Sequence, residues 1–403
     1  MGVRSEISFR PSIIYSALRK NGNRVKLQRI TSGGRFIPEL DGLRFLAIFA
    51  VLIAHVVGET TYGSYGLQSQ EIAQKVPPFL AHFEWGVPLF FIISGLILAR
   101  AFISGFRGPK RGVDLRSYYL RRLTRLEPPY IVSILLFGIS RFVVRHDPLP
   151  GVSLAVLKSL FYVHNFFPNG TPLSGVTWSL EVEIQFYLLT PLMAQVFRIP
   201  NESIRRGVLA GAVVLAAISP HAWADSFGLF LVGNLVFFWT GFLLADFDVL
   251  DAAVSSWGWD IASALAWGYV LYIPARGSLP AHGSRLVLDL LFMAAIVCSM
   301  KSRWARAVLS AKWIATVGGM CYSLYLTHML VLALTSRLVH PLLSVQHVVR
   351  SYALALGIEL TLVIGAGFLY YIAIERPCMD PQWPSKFMIF LRRALGRWQQ
   401  APQ

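Results

Sequence analysis

Apolar residues fall in runs at 43–57, 86–102, 128–144, 180–197, 207–219, 227–245, 257–273, 286–300, 313–336 and 352–374, separated by short polar stretches. A membrane-spanning helix needs about 20 predominantly apolar residues, so the pattern predicts an all-α, polytopic membrane helical bundle of about ten transmembrane helices. The run at 207–219 is the weakest of the ten. Composition supports the reading, because only 14% of the residues are charged and 55% are hydrophobic, against about 25% charged in ordinary soluble domains. These figures exclude a collagenous, disordered or disulfide-stapled chain and leave no room for a large soluble domain beside the helices.

Net charge is +16, from 37 Lys and Arg against 21 Asp and Glu. In a soluble protein that would raise the question of nucleic acid; here the basic residues lie between the apolar runs, as the positive-inside rule requires, and no nucleic-acid partner is expected. In a ten-span arrangement 28 basic residues fall on the side of the termini, 8 on the other, and Arg44 stands at the start of the first run. Both termini are therefore expected in the cytoplasm. The segment after the sixth run breaks the pattern, with Asp246, Asp248 and Asp251 and no Lys or Arg. Residues 1–42 read as a basic cytoplasmic extension, 43–377 as the transmembrane domain and 378–403 as a short cytoplasmic tail. Cys298, Cys321 and Cys378 show no paired spacing, so neither a metal site nor a disulfide framework is expected. Of the nine histidines, His82, His146, His164, His221, His282, His340 and His347 fall in the outer loops of this arrangement, and His55 and His328 lie past the middle of outward-running spans. Composition bias between the two sides accounts for the loop histidines.

Charged groups inside a span are costly unless they line a cavity or find partners, which makes each a functional hypothesis. In the first run Asp41, Arg44 and His55 fall within about 60° on one helical face. Arg44 and His55 are separated by roughly 16 Å along the axis, which puts charge and base at different depths. Asp41 and Arg44 also read as a structural pair at the helix entrance. In the second run Ser94 and Gly95 read first as small residues that let helices approach, with Ser94 as a nucleophile the sharper alternative. The basic segment before the third run carries Arg121, Arg122 and Arg125; Arg122 and Arg125 share a helix face and suit either a polyanionic ligand such as a coenzyme phosphate or topology and lipid headgroups. Glu181 and Glu183 open the fourth run about 200° apart, so only one can point into a given cavity. In the ninth run Tyr325 and His328 are on one face.

D-G-L-R with its following histidine (Asp41, Gly42, Arg44, His55), F-F-I-I-S-G (90–95), R-R-L-T-R-L-E-P (121–128), W-S-L-E-V-E-I-Q-F-Y (178–187), Y-S-L-Y-L-T-H (322–328) and E-R-P (375–377) occur in this order along the chain. Together they resemble the integral-membrane acyltransferase 3 family, bacterial enzymes that O-acylate sugars, polysaccharides, lipopolysaccharide and related glycans. The resemblance implies a bundle in the bacterial inner membrane, acetyl-CoA or another acyl-CoA as co-substrate in place of a resident cofactor, and a sugar or glycan acceptor. It points to His55 as catalytic, with Arg44, Arg121, Arg122 and Arg125 near the donor. Glu183 would orient the imidazole or stabilise its charged form, and Asp41, Ser94, Trp178, Tyr325 and His328 would support the site. The chain departs from the family's pattern where two adjacent acids usually follow W-S-L, having Glu181 and Glu183 instead, and in Thr327, where an aromatic commonly precedes the last histidine. The rival class is a transporter or flippase, which would also carry intramembrane charges; the two halves of the sequence show no correspondence of the kind transporter repeats produce.

Overall fold

The computed structural model describes residues 36–63, 83–108, 112–167, 173–219, 230–253, 256–275, 284–380, 382–386 and 388. Most of the basic N-terminal extension and of the C-terminal tail lies outside the described residues, as do Lys110, Arg111, His82, His221 and His282. The helices are α1 (Pro38–Tyr62), α2 (Gly86–Arg107), α3 (Leu115–Val143), α4 (Leu149–Leu160), α5 (Thr177–Met193), α6 (Glu202–Ile218) and α7 (Phe230–Asp246). They continue with α8 (Gly258–Ala275), α9 (Ser284–Lys301), α10 (Arg303–Leu309), α11 (Lys312–Gly319), α12 (Cys321–Val339) and α13 (Val348–Tyr370). A π-helical stretch, Tyr371–Glu375, carries α13 into a last turn at Arg376–Cys378. Among the described residues there is no strand. Among the described residues five helices are long and apolar enough to cross a membrane: Pro38–Tyr62, Gly86–Arg107, Leu115–Val143, Cys321–Leu342 and Val348–Cys378; α4 and α7 are shorter apolar helices. The chain is thus an all-α membrane protein.

Three expectations about the spans change. The run at 128–144 is only the second half of α3, whose first half is the arginine segment; Asp114 starts it by accepting from the Arg116 N–H at 3.1 Å and the Ser117 hydroxyl at 2.5 Å, an N-cap that satisfies otherwise orphaned donors. The stretch between the third and fourth runs, expected to be loop, holds α4. The run at 313–336 is two helices, broken at Met320. Packing beside the break is close, because a Cβ on Gly318 would collide with the Asp41 carbonyl of α1, so α11 and α1 meet backbone to backbone there.

α1 is the central element. Its Leu43, Ala47 and Ala50 join a core built with α2, α7 and α9, while Ile48, Val51, Leu52 and Val56 join a second with α3, α12 and α13. Gly95 of α2 and Gly241 of α7 meet backbone to backbone, and a Cβ on either would strike the other helix's main chain; Gly95 is a packing position, as its size implied. In α3, Pro128 removes the N–H that would reach the Thr124 carbonyl, and the Trp383 indole takes that carbonyl at 2.8 Å. The Tyr322 hydroxyl donates to the Leu126 carbonyl at 2.9 Å and that of Tyr370 to the Pro129 carbonyl. Neighbouring elements thus supply donors to three carbonyls around the two prolines, of the kind a membrane interior demands.

The acidic segment after α7 is compensated through space. Asp246 pairs with Arg205 at 2.5 Å and Arg206 at 3.2 Å, and Asp251 with Arg100 at 2.9 Å, while Arg306 joins Glu39 at 3.1 Å and the Ala252 carbonyl at 3.2 Å. These links gather the acids and the arginines at one end of the bundle, the end where α1 begins.

Gly318→Val and Gly95→Leu are expected to destabilise the detergent-solubilised protein by about 1–3 kcal/mol or more through overpacking. Gly268→Ala, where a Cβ meets nothing within 4 Å, should leave the thermal midpoint unchanged or raise it. Thermal unfolding followed by size-exclusion chromatography checks this.

Candidate functional site

Two histidines from helices far apart in sequence meet inside the bundle. His328 of α12 is fully buried, and its Nε2 lies 3.2 Å from Nδ1 of His55 on α1, with the ring centroids 4.9 Å apart. Nδ1 of His328 faces the carbonyls of Tyr325 at 2.7 Å and Leu324 at 3.2 Å. A lone pair aimed at two carbonyl oxygens would be repelled, so the proton of His328 is on Nδ1 and its Nε2 is an acceptor. His55 must then donate from Nδ1, and its Nε2 carries the lone pair. The packing of α12 on α1 thereby sets the tautomer of His55.

Toward the start of α1 the surroundings turn cationic. Asp41, 1% exposed, pairs with Arg44, one helical turn along. Arg44 and Arg125 are within mutual electrostatic range, with Cys321, Tyr187 and, for Arg125, Glu375 around them. Nε of Arg125 is buried and has no hydrogen-bond partner among the described residues. Glu375 is fixed by the Ser323 N–H at 3.0 Å and the Ser323 hydroxyl at 2.5 Å, so it completes the first turn of α12 as well as facing the arginine. Arg122 lies over the Tyr118 ring at 3.8 Å and the Tyr187 ring at 5.2 Å. Arg121 is exposed, in range of Asp114 at the start of α3; the structure does not bring it to the other three.

Between the cations and the histidines stands Glu183 of α5. Its Oε1 accepts from the Ser94 hydroxyl at 2.7 Å and from the Tyr187 hydroxyl, and its charge is felt by Tyr322 and Tyr325. Ser94 is thus a hydrogen-bond donor to a carboxylate, at a distance within which a base can activate a hydroxyl. Glu181 points the other way: fully buried, it accepts the N–H groups of His164 at 3.0 Å and Asn165 at 2.8 Å, capping the short turn that leads into α5. Of the two acids, only Glu183 faces the polar interior. Tyr325 is pinned by the Ser179 hydroxyl at 2.5 Å and the Val176 carbonyl at 3.1 Å, and its ring lies 5.5 Å from that of His328. Trp178 packs its ring edge-on to Phe91 and its carbonyl accepts from Asn165 at 3.1 Å, a supporting position.

The sequence did not single out Tyr187 and Tyr118, which sandwich Arg122. The signal for Tyr187 was present, since it follows Glu183 at the i,i+4 spacing that puts two side chains on one helix face. Among the described residues, no group of three metal-ligating side chains is found.

Comparison with known proteins bears on what this arrangement is. A family model described as an acyltransferase domain matches residues 37–374. The acyltransferase MdmB of Streptomyces mycarofaciens is 24% identical over 377 residues, 85% of this chain and 92% of MdmB. The peptidoglycan O-acetyltransferase OatA of Listeria monocytogenes is 25% identical over 198 residues, 46% of this chain and 28% of OatA. A Staphylococcus aureus protein named for O-acetyltransferase activity is 27% identical over 170 residues, and the chain spans only 25% of that relative's length. No solved structure matches. Because the family match runs from the first turn of α1 to the π-helical end of α13 and takes in the histidine pair, Glu183 and the part-buried arginines, the chain belongs to the acyltransferase 3 family of integral-membrane proteins.

Proposed function

We propose that this protein is a membrane O-acyltransferase that moves an acyl group, acetyl in the first instance, from acyl-CoA to a hydroxyl of a sugar, polysaccharide, lipopolysaccharide or related glycan. The observation that carries the reading is the histidine pair, in which His55 stands on the same helix as the part-buried Arg44. The phosphates of the donor would be held by Arg44, Arg122 and Arg125, since planar guanidinium forks match phosphate oxygens. The pantetheine arm would pass Glu183 and Tyr325 and bring the thioester to His55.

Nε2 of His55 then removes the proton from the acceptor hydroxyl as its oxygen attacks the thioester carbonyl; the tetrahedral intermediate collapses, the C–S bond breaks, and the imidazolium returns the proton to the departing thiolate. In the imidazolium the Nδ1–H still points at His328, so the ring keeps its orientation and its charge keeps a hydrogen-bond acceptor. This is the place that an acid fills in a Ser-His-Asp arrangement. Glu183, expected to hold that place, has Ser94 and Tyr187 as its hydrogen-bond partners, and we assign it to shaping the passage between the two halves of the site. Arg121, with its exposed setting, is left out of the donor contacts. The gathering of Arg100, Arg205, Arg206 and Arg306 at the end where α1 begins supports a cytoplasmic start to α1 and, with it, donor entry from the cytoplasm of a bacterial inner membrane. The lipid bilayer itself is the remaining partner.

Three measurements test the proposal on protein reconstituted in nanodiscs with radiolabelled acetyl-CoA and an envelope glycan fraction. His55→Ala should lower kcat/KM by about 10²-fold or more, the scale of general-base catalysis, while leaving expression and membrane insertion intact; near-normal turnover would end the mechanism, and no label transfer by the unsubstituted protein would favour a transporter. His328→Leu should lower kcat with little change in KM for the donor, and His328→Gln, whose side-chain carbonyl can accept from Nδ1 of His55, should recover part of the loss. Arg125→Gln should raise KM for acetyl-CoA about tenfold, the loss of one charge-assisted contact, and leave transfer from acetyl-pantetheine, which lacks the phosphates, unchanged.

A further inference from the structure

Pro128 and Pro129 follow Arg125 inside α3, and each removes a backbone N–H from the helix. In an α-helix an N–H bonds the carbonyl four residues before it, so the carbonyls of Thr124 and Arg125 lose their helical donors together. The Thr124 carbonyl lies in the same rigid peptide plane as the nitrogen and Cα of Arg125, and whatever holds that oxygen holds the root of the Arg125 side chain. The Trp383 indole holds it, donating at 2.8 Å. On the other flank the Tyr322 hydroxyl donates to the Leu126 carbonyl at 2.9 Å. The stretch of α3 that has lost its own ladder is thus tied from two sides, at the residue whose guanidinium is in range of Glu375.

Trp383 comes from the segment that follows α13, beyond residue 374 where the family match ends. The turn Arg376–Cys378 is continued by the Asp380 N–H, which donates to the Pro377 carbonyl at 3.2 Å, and by the Trp383 N–H, which donates to the Asp380 carbonyl at 2.9 Å. The Asp380 side chain caps the turn, accepting from the Gln382 N–H at 2.9 Å and pairing with Lys386. The acid in range of the guanidinium and the indole that holds the backbone at its root are therefore presented by one short stretch of chain. Nε of Arg125 has no hydrogen-bond partner among the described residues, which leaves the aim of the guanidinium more dependent on where its backbone stands. We infer that Trp383 is a positioning residue for the donor site: by holding the Thr124 carbonyl it sets where Arg125 stands, and so how tightly the phosphates of the donor are gripped. The inference rests on the function proposed above, in which Arg125 contacts those phosphates, and it extends the donor site to a segment that hydropathy alone reads as a tail.

The test measures equilibrium binding of coenzyme A to the full chain in nanodiscs by isothermal titration calorimetry, with acetyl transfer from acetyl-CoA and from acetyl-pantetheine as the second readout. Trp383→Phe keeps an aromatic ring and removes the N–H. It should weaken coenzyme A binding by about threefold to tenfold, the scale of one hydrogen bond, and raise KM for acetyl-CoA by a similar factor with kcat unchanged. Transfer from acetyl-pantetheine, which lacks the phosphates, should stay as it is in the unsubstituted protein. Added to Arg125→Gln, the same change should weaken coenzyme A binding no further, because both act on one contact. Three results would each overturn the inference: unchanged coenzyme A affinity in Trp383→Phe, an effect that multiplies with that of Arg125→Gln, or an equal loss of transfer from acetyl-pantetheine, which would make the indole a structural tie alone. The binding readout does not depend on acyl transfer. Coenzyme A binding that Arg125→Gln weakens and Trp383→Phe leaves untouched defeats this inference alone, whereas binding indifferent to Arg125→Gln defeats the donor contact of the proposed function.

Discussion

A single hydrogen bond between two imidazoles, deep in a bundle of apolar helices, constrains more of this structure than any other contact. His328 can donate only from the nitrogen that faces the Leu324 and Tyr325 carbonyls, so its other nitrogen can only accept, and His55 is obliged to donate to it. A histidine alone on a helix facing a cavity would exchange freely between its two tautomers and turn about its side-chain bonds. Held from α12, it presents one nitrogen and one direction. The demand then passes outward to the packing, because α12 must sit on α1 in a fixed register, and that register is set by how the chain leaves α11.

The break at Met320 is where the register is made. Gly318 lets α11 touch the backbone of α1 at Asp41, and Asp41 is also the partner of Arg44, so the close approach, the ion pair and the start of α12 are one local assembly. Glu375, from the π-helical end of α13, ties Ser323 into it and faces Arg125. Helix packing in a membrane draws little from the hydrophobic effect and depends on close contact and satisfied polar groups, and this corner supplies both. The two part-buried arginines there depend on these acids staying in place.

Much of the polar column was readable from helical periodicity. Asp41, Arg44 and His55 line up on one face of α1, and they are where that face places them; the Asp41–Arg44 pair follows from its three-residue spacing. The 200° between Glu181 and Glu183 showed that the two acids could not share a role, and the structure divides them into a loop cap and an interior carboxylate. Ser94 and Gly95, adjacent and therefore on different faces, likewise separate into a donor to Glu183 and a packing contact with α7. What periodicity could not supply was contact between distant segments. Nothing local in α1 names His328 as the partner of His55, and nothing in the acidic stretch after α7 names Arg100, Arg205 and Arg206 as its counter-charges. The helix α4 and the break at Met320 were missed for a related reason: hydropathy counts apolar residues and is blind to whether a run is one helix, half of one, or two meeting at a glycine pair.

α1 carries the cationic and the basic parts of the proposed reaction on one rigid rod, and that has a consequence for how a donor could be handled. A helix buried in two cores at once cannot tilt or slide without disturbing both, so the separation of Arg44 and His55 is a fixed length, roughly 16 Å by helical rise. A flexible arm attached to an anchored polyanion would be measured against that length, which favours a reach set by the donor's own chemistry over one set by loop closure. Catalysis by positioning depends on that kind of preset distance. In this protein the distance is written into the eleven-residue step from an arginine to a histidine, and the surrounding helices serve to keep the rod still.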